Sequence, residues 1–164
     1  MQRFILQLNV PRYLKKILDV KYGENYRPRV TELLGISVIN ALKKKSDRDY
    51  TYIRKKSPAD NNRFKEKDDV FFISLSIDKA QRKGFAVDQK RAHQIVKAID
   101  RNIREDLYCN ALLNHTKYGI EYQTTIENFL DLYDIAEEEL SYESIRKDFN
   151  RKKKNLAEKL KISV

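Results

Sequence analysis

Phe4-Ile5-Leu6-Gln7-Leu8-Asn9-Val10 and Phe71-Phe72-Ile73-Ser74-Leu75-Ser76-Ile77 decide the fold. Apolar residues return at every second position, as Leu6, Leu8 and Val10 in the first and Ile73, Leu75 and Ile77 in the second, which is the period of a half-buried β-strand. Pro11 closes the first pattern by removing a backbone donor. A lone strand cannot satisfy its backbone groups, so pairing between the two explains the shared pattern better than duplication does. Each strand leads into helix-compatible sequence that ends at a glycine, Pro11 to Tyr22 before Gly23 and Asp78 to Lys83 before Gly84.

Between the strands, Val30, Leu33, Leu34, Val38, Ile39 and Leu42 fall at helical spacing, interrupted by Gly35 and finished by Lys43-Lys44-Lys45. The spacing predicts one helix or two short ones, with the lysine triplet capping the negative end. Residues 46–69 are the least apolar stretch, and Ser57-Pro58-Ala59-Asp60-Asn61-Asn62 signals a turn, so a flap or hairpin is expected. Within it Tyr50, Tyr52, Arg54, Lys55 and Lys56 form a secondary basic and aromatic patch, first a third strand by alternation and second a surface able to stack bases.

The second half is more regular. From Asp88 as N-cap, Ala92, Ile95, Val96, Ile99, Ile103, Leu107 and Ala111 trace one face of a long amphipathic helix of about 25 residues, roughly 38 Å. Thr124 and Glu127 have capping-box spacing ahead of a compact helix carrying Ile126, Phe129, Leu130 and Tyr133. Two helices with a short turn at Asp134 are implied across 124–154. The fold class expected is mostly helical α+β, with a short antiparallel sheet in an N-terminal region, 1–87, packed with helices. A helical region, 88–164, holds a helix-turn-helix-like hairpin.

Charge is unevenly spread. The chain of 164 residues carries 34 Lys or Arg and 24 Asp or Glu, a net charge of +10. Residues 121–140 hold 7 acids and no base, and residues 141–164 hold 8 bases and 3 acids. A positive field attracts polyanions, so nucleic acid is the leading partner class, duplex DNA ahead of RNA. With no run of about 18 apolar residues, a membrane partner is not expected. The opening Met1-Gln2-Arg3-Phe4 leads to no cleavage site, and a soluble, cytoplasmic protein is expected.

The segment after Leu140 concentrates the binding chemistry. Tyr142, Ile145, Phe149, Leu156 and Leu160 can point inward, which turns Ser144, Arg146, Lys147, Asn150, Arg151 and Lys154 outward. Arg pairs with guanine edges, Asn with adenine, and Lys and Ser fix phosphates. Arg146, Asn150 and Arg151 are therefore the candidate base readers, and Lys147, Lys152, Lys153 and Lys154 the phosphate anchors, on a helix spanning 141–160. The arrangement is similar to a helix-turn-helix, with Asp134 where the familiar motif has glycine. The acidic first helix would act as scaffold.

Enzyme chemistry finds less material. His93, His115 and Cys109 are the near-neutral groups, none in a recognisable motif, and helix packing and capping account for the histidines. Four glycines support no phosphate cradle. One cysteine makes neither an internal disulfide nor a zinc cage, and Asp68-Asp69 read as turn residues before Mg²⁺ ligands. No enzyme, metal or cofactor is expected. The expected function is a DNA-binding regulator or an architectural or accessory factor, with homo-oligomerisation open. The competing class is an assembly component of a viral particle or nucleoprotein complex whose basic faces meet acidic partners.

Overall fold

The computed structural model describes residues 3–43 and 68–160. Its elements in order are β1 (Arg3–Pro11), α1 (Arg12–Tyr22), β2 (Asn25–Tyr26), α2 (Leu33–Ala41), β3 (Leu42–Lys43), β4 (Asp68–Ser76), α3 (Ile77–Lys83), β5 (Ala86–Val87), α4 (Gln89–Tyr118), α5 (Tyr122–Leu132) and α6 (Tyr142–Leu160). The chain is a mostly helical α+β protein that divides into two compact units, Met1–Asp100 and Arg101–Val164.

In the first unit the two alternating segments pair with each other. β1 and β4 run antiparallel from Arg3 opposite Ser76 to Pro11 opposite Asp68. That register sets Phe4 against Leu75, Leu6 against Ile73 and Leu8 against Phe71, so these apolar residues of the two strands share one face, while Ile5, Val70 and Phe72 fall on the other. A slip of one residue would invert the whole set. Leu8, Val10, Phe71, Ile73 and Leu75 are buried, together with Leu14, Ile17 and Leu18 of α1 and Leu34 and Val38 of α2. β2 adds to the other side of β4 and is parallel to it. The sheet is therefore mixed rather than purely antiparallel, and its third strand, two residues long, is too short to show a period in the sequence. β3 and β5 form a second, antiparallel pair.

The helix ends follow local chemistry. Gly23, at φ 81°, donates its N–H to Asp19 O at 2.8 Å, and Gly84 donates to Ala80 O at 2.7 Å. Ser76 Oγ caps α3 by accepting from Lys79 N at 3.3 Å. Asp88 caps α4, its Oδ1 accepting from Lys90 N at 2.9 Å. That backbone bond, with the Lys43 ammonium adding to it, holds the Asp88 carboxyl below the usual carboxylate range. Ile95, Ile99, Ile103, Leu107 and Ala111 are buried along α4, and His93 is exposed, off that stripe.

Two expectations change. Val30 and Leu33 are exposed because α2 begins only at Leu33, which leaves Val30 in the preceding turn. Lys43 does not cap α2. The backbone turns extended at Leu42 (φ −60°, ψ 137°), and Lys43 lies on β3 with Nζ 3.3 Å from the Asp88 carboxylate. The patch Tyr50, Tyr52, Arg54, Lys55 and Lys56, the turn at 57–62 and Lys44-Lys45 lie outside the described residues. Among the described residues no helix is long and apolar enough to cross a membrane.

Gly35 is where the first unit is tightest. A Cβ there would lie 2.0 Å from Arg29 O and 2.8 Å from the Tyr26 hydroxyl, the former backbone that cannot swing aside. Gly35→Ala should lower stability by about 1–3 kcal/mol or more, as overpacking does. Urea unfolding followed by circular dichroism measures it, and an unchanged midpoint would contradict this packing.

Candidate nucleic-acid interface

α6 is held by both its neighbours in the second unit. Ile145 and Phe149, four residues apart, are buried. The Phe149 ring lies 4.9 Å from that of Tyr108 and 4.6 Å from that of Tyr122. Tyr108, Ala111 and Phe149 form a buried cluster, with Tyr122 packed against it. Burial of Tyr108 pushes its phenol pKa up. The inward stripe ends there. Leu156, two turns beyond Phe149 and expected inward, is 37% exposed, since this cluster does not extend to it. The Leu160 side chain lies outside the described residues.

The connection into α6 is longer than a tight turn. α5 ends with Asp134 in the left-handed region at φ 49°. Asp134 N–H reaches Asp131 O at 3.0 Å, and Ile135 N–H reaches Leu130 O at 2.9 Å. These two bonds make a Schellman C-cap, and Leu130 and Ile135, both buried, are its usual apolar pair. The acidic run Ala136–Leu140 is a hydrogen-bonded turn. Its carboxylates act as caps, with Glu137 Oε2 accepting from Tyr142 N at 3.1 Å and Glu139 Oε2 from Ala136 N at 3.4 Å. Ser141 Oγ adds a bond from Ser144 N at 3.2 Å. The expected capping box is absent, because α5 begins at Tyr122 with Glu121 as N-cap and so carries Thr124 and Glu127 inside the helix.

Ser144, Arg146, Lys147, Asn150, Arg151 and Lys154 are all exposed. At 3.6 residues per turn they span about 160° of arc, centred opposite Ile145 and Phe149. Lys152 and Lys153 do not join them. They flank the buried stripe, Lys152 with its side chain 20% exposed and Nζ 3.2 Å from the Glu105 carboxylate. Lys152 and Lys153 also place their ammonium groups 5.7 Å from the ring centres of Tyr108 and Tyr122 respectively.

The exposed arc is not purely cationic. Arg146 Nε and Nη2 donate to the Glu143 carboxylate at 2.8 and 2.9 Å, and Lys147 Nζ lies 3.9 Å from it. The Arg146 hydrogen bond holds Glu143 below its ordinary range, and Glu143 in turn raises Arg146. Arg151 pairs with Asp148, whose other oxygen receives Arg104 Nη1 of α4 at 3.5 Å. Glu143 is the charged partner within this arc that residue-type reading passed over. Its i, i+3 and i, i+4 spacing to Arg146 and Lys147 was the available signal.

The remaining candidates do not converge. Cys109 and His115 are both exposed and six residues apart on α4, a spacing that puts them on different faces. The His115 ring instead packs 4.2 Å from Tyr122. Asp69 Oδ1 accepts from its neighbour Val70 N at 2.8 Å. Among the described residues no group of three His, Cys, Asp or Glu is placed to hold a metal ion.

Asp134 carries a side chain where the Schellman cap favours glycine. Asp134→Gly should raise stability by a few tenths to about 1 kcal/mol, read as a higher midpoint in a thermal or urea melt. A fall would contradict the left-handed conformation. No protein-family model matches the chain, and no curated protein and no solved structure matches it.

Proposed function

We propose that the chain is a small DNA-binding protein that contacts duplex DNA with α6 and acts without catalysis in the cytoplasm, as a transcriptional regulator or an architectural or accessory factor. The observation that carries this reading is the exposed arc of α6, with Ser144, Arg146, Lys147, Asn150, Arg151 and Lys154 on one side and Ile145 and Phe149 anchored on the other. A single α-helix fits the major groove. Arg146, Asn150 and Arg151 then face base edges, and Ser144, Lys147 and Lys154 face phosphates. Lys152 and Lys153, seated on the rings of Tyr108 and Tyr122, contribute field rather than direct contact.

Glu143 and Asp148 temper this surface. On approach of the duplex, Arg146 and Arg151 exchange a carboxylate partner for a base edge, and Lys147 exchanges Glu143 for a phosphate. The pairing keeps the guanidinium groups oriented in the free protein and lowers the net gain on binding.

Charge reversal at Lys147 and Arg151 together should weaken duplex binding strongly and flatten its salt dependence, each lost phosphate contact removing about 0.9 from the log–log slope. Fluorescence anisotropy over a salt series measures both, and an unchanged slope would sink the assignment. Co-purification of the wild-type protein as a defined oligomer free of nucleic acid, with no duplex binding, would favour an acidic protein partner instead. Glu143→Gln should act in the opposite direction, tightening duplex binding and steepening the slope because Arg146 and Lys147 lose their internal counter-charge. Weaker binding by this variant would mean that Glu143 orients the arc more than it neutralises it.

A further inference from the structure

α6 leaves the sheet of the first unit without a role, and the outward face of that sheet has an unusual residue at its centre. Phe72 lies on β4, the middle strand, and is 37% exposed while Phe71 and Ile73 on either side of it are buried. The register places Gln7 of β1 and Asn25 of β2 beside Phe72 across the two strand pairs, and both are exposed. Arg3, Ile5, Gln7 and Asn9 alternate onto this same face and are exposed as well. Arg3 Nη1 donates to Ser74 Oγ at 3.2 Å, which holds its guanidinium over the next position along from Phe72.

An outward sheet face normally carries polar side chains against water, whereas here Phe72 leaves about a third of its surface open beside the exposed Ile5. With amides on both sides and a guanidinium nearby, it matches a different need. An aromatic ring on an open sheet stacks an unpaired base, amide groups hydrogen-bond base edges, and an arginine neutralises the linking phosphate. Arg3 is the one charged residue that β1 contributes to this face, the register sets Asp68 of β4 at its far end opposite Pro11, and the chain as a whole carries a net charge of +10. We infer that this face binds single-stranded nucleic acid, with one base stacked on Phe72, Gln7 and Asn25 beside its edges, and Arg3 toward a phosphate. The site is independent of α6 and of any duplex that α6 holds.

The chain contains no Trp, so Phe72→Trp introduces one indole that reports stacking directly. Short single-stranded DNA and RNA oligonucleotides of mixed sequence are titrated into F72W that also carries K147E and R151E, which removes the α6 surface from the measurement. Saturable quenching of the indole by at least one of the two is expected, and the two arms identify which sugar is accepted. An abasic sugar-phosphate oligomer should leave the emission unchanged. Absence of quenching by both single strands, or equal quenching by the abasic oligomer, overturns the inference. In the chain carrying K147E and R151E, Phe72→Ala should weaken single-strand binding about 5- to 100-fold, the range for loss of one stacked base, with an unchanged unfolding midpoint. Phe72→Tyr should keep the affinity. Equal affinity with and without F72A in that background would equally overturn it, whatever α6 does with duplex DNA.

Discussion

The contact on which the first unit depends is the antiparallel ladder between β1 and β4. It joins segments about sixty residues apart, and closing a loop of that length costs only slightly more than closing one half as long. The cost is offset by putting Phe4, Leu6, Leu8 and Val10 on the same face as Phe71, Ile73 and Leu75. α1 and α2 then have an apolar floor to cover with Leu14, Ile17, Leu18, Leu34 and Val38. Close approach is part of the same arrangement. α2 comes down on the Arg29 backbone at Gly35, while the Tyr26 hydroxyl donates to Glu32 at 2.5 Å. Burial and that bond push the Tyr26 phenol well above its usual range, so it stays a donor at any physiological pH.

Periodicity carried over into structure wherever an element was long enough to show one. The two nine-residue strands and the stripe from Ile95 to Ala111 were legible because burial on one side imposes a repeat of two or of 3.6 on the residue types. Two-residue strands have no repeat, which is why the parallel partner of β4 and the β3–β5 pair could not be read. Ends were less legible than interiors. Thr124 and Glu127 have capping-box spacing, yet Tyr122 packs on Phe149, and that tertiary contact draws helical structure two residues upstream of Thr124. Lys43 looked like a helix cap until the chain turned extended at Leu42 to meet Val87.

The outward arc of α6 was also legible, as the complement of its apolar stripe. What residue types alone did not convey is how its cations are spent. Lys152 and Lys153 sit at the margins of the stripe, where their ammonium groups lie over the Tyr108 and Tyr122 rings and Lys152 is held by Glu105. Glu143 stands in the first turn of α6, where a carboxylate also suits the helix dipole. It satisfies that terminus and Arg146 at once. The strongly acidic segment before α6 has a similarly local explanation in Glu137 and Glu139, which close backbone donors of the turn and of the helix start. An abrupt change of charge sign along a chain can thus be a capping device as well as a field.

The two surfaces proposed to meet nucleic acid differ in what would hold the ligand. On α6 the groups are ammonium and guanidinium, whose grip comes from released counterions and fades as salt rises. On the sheet the central group is a neutral ring flanked by amides, and stacking depends far less on ionic strength. A duplex hides the faces of its bases and offers an ordered array of phosphates, which suits the first surface and denies the second. An unpaired strand offers bases and a flexible backbone, which reverses the preference. On these two proposals the chain would tell duplex from single strand by the groups each surface offers, cations on α6 and a ring flanked by amides on the sheet.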